Sequence, residues 1–322
     1  MTHERDHCKS GSWFGKPYYS FSDYLWNKYN RRVLKIPINA GLSCPNRDGT
    51  SGTGGCVFCP GDGSASPGMI AGMSIPEQIN IAKRAFKRSD PDTRYIAYFQ
   101  AFTNTYGPPS LLKSLYDQAT EQPGIIGLMI GTRPDCLPDE ILDLIATYRK
   151  PGFELWVEIG MQSSHDKSLA FLRRGHTHDS TADAVRRAAA RGIPVCVHLI
   201  LGIPGETWHD MMATAASLRS MAISGIKFHH LHVIRGTGLE AAFRNGSMKP
   251  LAMKEYVSTL CDFIERVSPD VLIHRLSGDR EESTLVAPKW GLHKGTVMQA
   301  VEDEFRKRGS FQGLLFDPAS KE

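Results

Sequence analysis

Seven short apolar runs, with amphipathic stretches between most of them, constrain the fold of this chain more than any other feature. They lie at about 33–38 (VLKIPI), 94–100 (RYIAYFQ), 125–131 (IIGLMIG), 154–160 (ELWVEIG), 193–201 (IPVCVHLIL), 226–234 (IKFHHLHVI) and 271–276 (VLIHRL). Such runs suit strands buried on both faces. The stretch 139–149 (DEILDLIATYR) has helical spacing, with Ile141, Leu142, Leu144 and Ile145 on one face. Pro138 opens it, and Asp139 and Glu140 suit the positive end of a helix. Doubly buried strands alternating with helices make a parallel sheet. Six or seven βα units predict an α/β fold, a partial TIM-like (β/α)6 barrel with its functional groups at the C-terminal ends of the strands. Residues 1–32, rich in aromatic and basic side chains, and 241–322, helical around one more strand, read as extensions of a core at 33–240.

With 41% hydrophobic residues the chain of 322 can bury a large core, and its net charge of +4 permits an anionic partner without requiring one. No apolar run reaches roughly 18 residues, so no membrane span is expected. The polar N-terminus has no apolar segment of a secretory signal, which predicts a cytoplasmic location. In a reducing compartment clustered cysteines bind metal or do chemistry rather than form disulfides.

Three of the seven cysteines, Cys44, Cys56 and Cys59, fall within GLSCPNRDGTSGTGGCVFCP (41–60), the loop after the first expected strand. Gly41, Gly49, Gly52, Gly54 and Gly55 let that loop curve around a bulky object. Three thiolates suit an iron–sulfur cluster with one iron left open. Val57 and Phe58, between the last two cysteines, offer an apolar shield. The other reading is a zinc knuckle completed by His7, Cys8 or Cys136.

Six segments in order, GLSCPNRDGT, AYFQAFTNT, GTRPDCLPD, GMQSSHDKSL, RRGH and HLILGIPGE, resemble the radical S-adenosylmethionine (SAM) superfamily and within it the YhcC-like family. That family is related to the elongator catalytic subunit and oxygen-independent coproporphyrinogen oxidase. The resemblance implies a [4Fe–4S] cluster on Cys44, Cys56 and Cys59 that binds SAM at the fourth iron. One electron, from a flavodoxin- or ferredoxin-type donor, then cleaves SAM to methionine and a 5′-deoxyadenosyl radical. It also assigns SAM contacts. Phe102 and Thr103 end the second strand where relatives carry a Gly-rich turn for the SAM amino group; with Gln100-Ala101-Phe102 here, that contact shifts to backbone carbonyls, Gln100 or Thr103. Gly131 stands where several relatives have a ribose-binding glutamate, and Thr132 and Arg133 read as structural. Gln162 matches a ribose-binding glutamine, and Glu158, on the same face by period, points into the barrel with it. Arg174, rather than Arg173, matches the arginine that grips the SAM carboxylate. His198 stands where the coproporphyrinogen enzyme has aspartate, and Gly202, Pro204 and Gly205 form the turn beside adenine.

His230 and His232 share a face of the sixth strand, as a second metal site, a proton relay or satisfied interior groups. Cys136, Cys196 and Cys261 read as buried small residues. No catalytic side chain is singled out. The elongator likeness points to wobble uridine of tRNA as substrate, although nothing after residue 240 is long enough for the acetyltransferase domain of that subunit. Eight aromatics interleaved with five basic residues in 13–35 would either contact RNA or pack against the open edge of the barrel. Two other functions stand beside this: a radical SAM enzyme for a small metabolite or protein side chain, and a non-catalytic, metal-stabilised nucleic-acid-binding module.

Overall fold

The computed structural model describes residues 13–63, 72–86 and 92–318. All seven runs contribute a strand to one parallel sheet: β1 (Val33–Ile38), β2 (Arg94–Phe99), β3 (Ile125–Thr132), β4 (Glu154–Gln162), β5 (Val195–Leu201), β6 (Gly225–His230) and β8 (Leu272–Arg275), paired in that order. Strand β4 shows why the runs were legible, since every residue from Glu154 to Gln162 is buried. Helices pack on the outer face: α2 (Ile75–Phe86), α3 (Pro109–Thr120), α4 (Asp139–Ala146), α6 (His178–Ala190), α7 (Trp208–Ser217), α9 (Met253–Ile264) and α10 (Lys294–Arg308). The short helices α5 (Asp166–Phe171) and α8 (Gly238–Arg244) lie in the connections. In α4 the expected face is buried at Ile141, Leu142 and Ile145, with Asp139 and Glu140 in the first turn.

The run at 226–234 is not one strand. Strand β6 stops at His230, and Val233–Ile234 form β7, which pairs antiparallel with β9 (Leu285–Ala287) outside the main sheet. The Leu231 N–H still reaches Leu201 O at 3.3 Å, but the chain then turns so that His232 meets His230. Continuous apolarity hides such a break, because both halves are buried.

The outer strands β1 and β8 do not pair, so the sheet is an open half-barrel. Helix α1 (Phe21–Tyr29) plugs the opening: Phe21 and Leu25 join Ile96, Tyr98, Met129, Trp156, Cys196 and Leu272 in an inner apolar cluster. Phe21 stacks on His274 with ring centres 3.9 Å apart. Trp13 and Tyr18 are also buried, whereas Phe14 and Trp26 stay exposed. The aromatics of 13–35 are therefore mainly packing residues, not a base-stacking face.

Candidate functional site

The glycine-rich loop leaves β1 at the C-terminal mouth of the half-barrel and is stitched down on several sides. Phe102 N–H donates to Gly63 O (3.1 Å), Thr103 N–H to Ser43 O (3.2 Å), Val57 N–H to Leu172 O (3.2 Å) and Leu239 N–H to Val57 O (3.2 Å). Val57 and Phe58 pack against a buried cluster that includes Leu172, Ile200, Ile203, Leu231 and Leu239. Cys56 is buried, and Cys44 and Cys59 are half-buried.

The surroundings of these sulfurs fit an anionic iron–sulfur group better than zinc. Arg174 Nη1 donates to Cys56 Sγ at 3.3 Å, Asn46 Nδ2 to the same sulfur at 3.4 Å, and Arg47 Nη2 to Cys59 Sγ at 3.3 Å. A tetrahedral zinc at about 2.3 Å from each sulfur would draw them within about 4 Å of one another. The three cysteines do not form such a group; among the described residues the triads that close within 4.8 Å are His229–His230–His232 and Glu158–Cys196–His198. Cys136 is buried after β3, and burial pushes its thiol up to about 12, the form that does not ligate. His7 and Cys8 lie outside the described residues.

The strand ends support this loop. Arg174 is buried and Arg173, in the left-handed region at φ 53°, is exposed, so the inward residue is the expected one of the pair. Besides Cys56, its guanidinium donates to Gly160 O at 3.0 Å and to His176 Nε2 at 3.1 Å. A Cβ on Gly160 would lie 2.8 Å from both Arg174 Nη2 and Gln162 Nε2, so any larger residue would displace the ends of both side chains. A bulge between Ile159 and Gln162 shifts the pairing with β5, and Gln162 takes φ 70°. The Gln162 side chain nevertheless stays on the face of Glu158: its Nε2 lies 2.8 Å from where a Cβ on Gly160 would stand, while Ile159 and Met161 pack in the outer core. Ser163 Oγ donates to Glu206 Oε1 at 2.5 Å, tying the end of β4 to the Gly202–Gly205 turn, where Gly202 packs on Leu251. Thr103 is fully buried beside Phe102, whose backbone takes φ 62°. Arg133, at the end of β3, is also buried; it pairs with Asp135 at 2.7 Å and keeps Nη1 without a partner.

Glu158 and His198 belong to a deeper network. Tyr98 Oη, His198 Nε2 and Lys227 Nζ all donate to Glu158 Oε2, at 2.6, 2.6 and 2.7 Å. Lys35 Nζ and His274 Nδ1 stand 3.7 and 3.8 Å from Oε1. Burial alone would raise the Glu158 carboxyl, but Lys227, His198 and Lys35 outweigh it and hold it well below the usual carboxylate range. One carboxylate cannot neutralise every cation, so burial still lowers Lys227 to about 8 and His198 to about 4. Glu158, expected to reach SAM, is thus fully enclosed by protein partners. Charged Lys35 and Lys227 at interior positions of otherwise apolar strands were the available signal for this network.

His229, His230 and His232 converge at the end of β6, with Nε2 of His230 and His232 2.7 Å apart. Burial depresses all three, helped by the neighbouring histidine for His229 and His232 and by Arg275 for each; His230 falls to about 3. A dication would meet the same positive field. Bound through both Nε2 atoms, it would also require an N–H at each buried Nδ1, one more partnerless donor than the neutral Nε2–H···Nε2 pair already holds. The positive field of Arg275 favours a neutral, hydrogen-bonded state of this cluster over a metal-bound one, although its ring nitrogens lie close enough to hold an ion.

Comparison with known proteins agrees with the geometry. The family model described as the radical SAM superfamily matches residues 47–218, just over half of the chain, and the radical SAM C-terminal domain matches 223–307. Protein YhcC of Escherichia coli K12 is 37% identical over 293 residues, 90% of this chain and 92% of that protein. A tRNA uridine(34) acetyltransferase of Methanocaldococcus jannaschii is 28% identical over 189 residues, 57% of this chain but only 33% of that enzyme. The solved structure of archaeal Methanocaldococcus infernus Elp3 superposes with a TM-score of 0.65 at 17% identity, covering 87% of this chain and 64% of that one, a likeness of fold. No helix among the described residues is long and apolar enough to cross a membrane. A parallel half-barrel, a three-cysteine loop at its mouth and these matches together make the chain a member of the radical SAM superfamily of enzymes, in its YhcC-like family.

Proposed function

We propose that this enzyme binds a [4Fe–4S] cluster on Cys44, Cys56 and Cys59, cleaves SAM reductively, and modifies the wobble-uridine side chain of tRNA. The observation that carries the first part is the loop itself: three cysteines at the barrel mouth, too spread for one zinc, with N–H donors aimed at Cys56 and Cys59. When bound, the cluster and SAM supply an electron and a 5′-deoxyadenosyl radical able to take hydrogen from a substrate. The chain's own residues bind, orient and exclude water. Val57 and Phe58 close the loop from solvent. Gln162 at the end of β4 serves the SAM ribose, Thr103 with the Phe102 carbonyl the amino group, and the Gly202–Pro204 turn the adenine. Arg174 holds Cys56 and β4 together, with the SAM carboxylate as its remaining ligand. His198, backed by Glu158, orients the ribose or substrate from below.

The tRNA part is supported by the likeness to a tRNA uridine(34) acetyltransferase, which spans 57% of this chain. Substrate contact is not assigned to the aromatics of 13–35, most of which pack on the barrel. Anaerobic reconstitution should give a brown protein with bound iron and sulfide, lost in Cys56→Ala. Dithionite and SAM should then yield 5′-deoxyadenosine. Stoichiometric zinc without iron, or no 5′-deoxyadenosine, refutes the chemistry. An unchanged uridine profile in bulk tRNA from a deletion strain refutes the substrate and leaves a metabolite or a protein side chain in its place.

A further inference from the structure

Arg47, three residues after Cys44, has so far been given a contact with Cys59 but no task. Its Nη2 donates to Cys59 Sγ at 3.3 Å, to Cys59 O at 3.0 Å and to Pro60 O at 2.6 Å. Its guanidinium carbon stands 5.8 Å from the Phe102 ring centre, on the turn after β2. A Cβ on Gly55 would lie 2.9 Å from Arg47 Nε, in a backbone conformation (φ 79°) that already favours glycine. The loop therefore folds around this guanidinium, which touches two of its flanks and one of its cysteines. On the opposite side Arg174 and Asn46 donate to Cys56. Two permanent cations and three N–H donors thus face two of the three sulfurs, while Cys44 has no side-chain donor among the described residues.

We propose that Arg47 is a positioning residue that sets the reduction potential of the cluster held by this loop, with Arg174 as its counterpart on Cys56. The inference rests on the [4Fe–4S] reading of Cys44, Cys56 and Cys59. One-electron reduction adds a negative charge that is shared with the thiolate sulfurs. An N–H donor or a fixed positive charge at the sulfur favours the reduced form, so the potential rises. The electron comes from a low-potential one-electron donor, which is oxidised as the cluster is reduced, and no covalent bond changes. Arg47 suits this task because it cannot lose its proton. Its contact with Cys59 Sγ is direct, and its two carbonyl acceptors keep the guanidinium in place.

The test is a redox titration of the reconstituted holoenzyme, monitored by electron paramagnetic resonance and normalised to iron and sulfide content, for wild type, Arg47→Met and Arg47→Lys. Arg47→Met removes charge and donors at similar length, and its midpoint should become clearly more negative. Arg47→Lys keeps the charge and should fall between the two. Resonance Raman should show the Fe–S stretching bands of Arg47→Met displaced as the N–H···S bond is lost. A loop-bracing role alone would change cluster yield and leave the potential of the loaded fraction unmoved. An Arg47→Met protein that holds its cluster at the wild-type midpoint overturns the proposal. If Arg47→Met holds no cluster, Arg47→Lys decides: a more negative midpoint supports the proposal and an unchanged one overturns it. A wild-type protein that binds no cluster at all would instead refute the function proposed above.

Discussion

Replacing Glu158 by glutamine removes the one carboxylate beside Lys227 and Lys35 while keeping its shape, and its cost can be worked from the structure. Lys227, buried and already lowered to about 8, must then give up its proton at pH 7, at about 1.4 kcal/mol for that one unit. The Tyr98 hydroxyl and the His198 N–H exchange a charged acceptor for a neutral one, at about 1 kcal/mol each. The loss is therefore about 3–4 kcal/mol, within the range of about 3–5 for stranding one member of a buried ion pair. For a chain of 322 residues that lowers Tm by about 5 °C. The pH dependence is the sharper signature. A lysine whose native value is depressed leaves the native state holding fewer protons than the unfolded state above that value, so wild-type stability rises with pH from about 8 towards the solution value near 10.4. In Glu158→Gln the native value falls further and the rise starts lower, so the deficit shrinks by about 1 kcal/mol between pH 7 and 8. Thermal and urea unfolding of wild type, Glu158→Gln and Glu158→Gln/Lys227→Met at both pH values measure it. The double variant should show no such pH-dependent gap. A deficit under about 1 kcal/mol, or one independent of pH, would refute the charge accounting.

Three other outcomes follow from particular contacts. Gly160→Ala places a Cβ 2.8 Å from Arg174 Nη2 and Gln162 Nε2, so it should cut 5′-deoxyadenosine formation about tenfold or more, while circular dichroism shows the fold retained. Phe21→Ala empties the plug between His274 and Trp156 and should cost about 3–5 kcal/mol in urea unfolding; a loss near zero would mean that α1 does not close the barrel. With Cys44, Cys56 and Cys59 all changed to serine, added Co²⁺ should give no visible d–d absorption, because Arg275 and Arg280 oppose a cation among His229, His230 and His232. A band abolished by His232→Ala would restore the metal reading.

The parts of this molecule that were legible in the sequence are those whose cause is local. Strands β2 to β6 were readable because nearly all of their residues are buried, the edge strands β1 and β8 as shorter apolar runs that are only partly buried, and α4 because its apolar face repeats at helical spacing. The cysteine loop was readable because its ligands lie within sixteen consecutive residues, 44–59. What escaped depends on register between distant strands. Glu158 lies opposite Gly131 and Cys196, Lys227 opposite His198, and nothing in any one run says that these side chains meet. The bulge between Ile159 and Gln162 escaped as well, because no residue type announces it. Arg47 was passed over because an arginine in a polar loop usually points to water. Here the glycine at 55 and the carbonyls at 59 and 60 turn it inward.

The two ends of the half-barrel divide the work along physical lines. At the N-terminal end of the strands, Phe21, Leu25 and Trp156 fill the interior with apolar surface, and the desolvation they impose drives His274 down to about 3. Deeper in the barrel, Glu158 is held ionised by several cations while the neighbouring histidines stay neutral. Such a floor changes its charge little between pH 5 and 7, which suits a chamber whose reactive species must not meet a stray proton donor or solvent. At the C-terminal end the logic reverses: backbone is cut back to glycine, arginines are turned inward, and polar atoms such as Arg133 Nη1 remain buried without a protein partner. Buried donors left unmatched cost stability, roughly 1–3 kcal/mol each. Unmatched atoms occur below as well, at Glu158 Oε1 and both nitrogens of His274, but those are sealed inside the barrel, whereas Arg133 lies beside Asn46 of the cysteine loop, where binding is proposed.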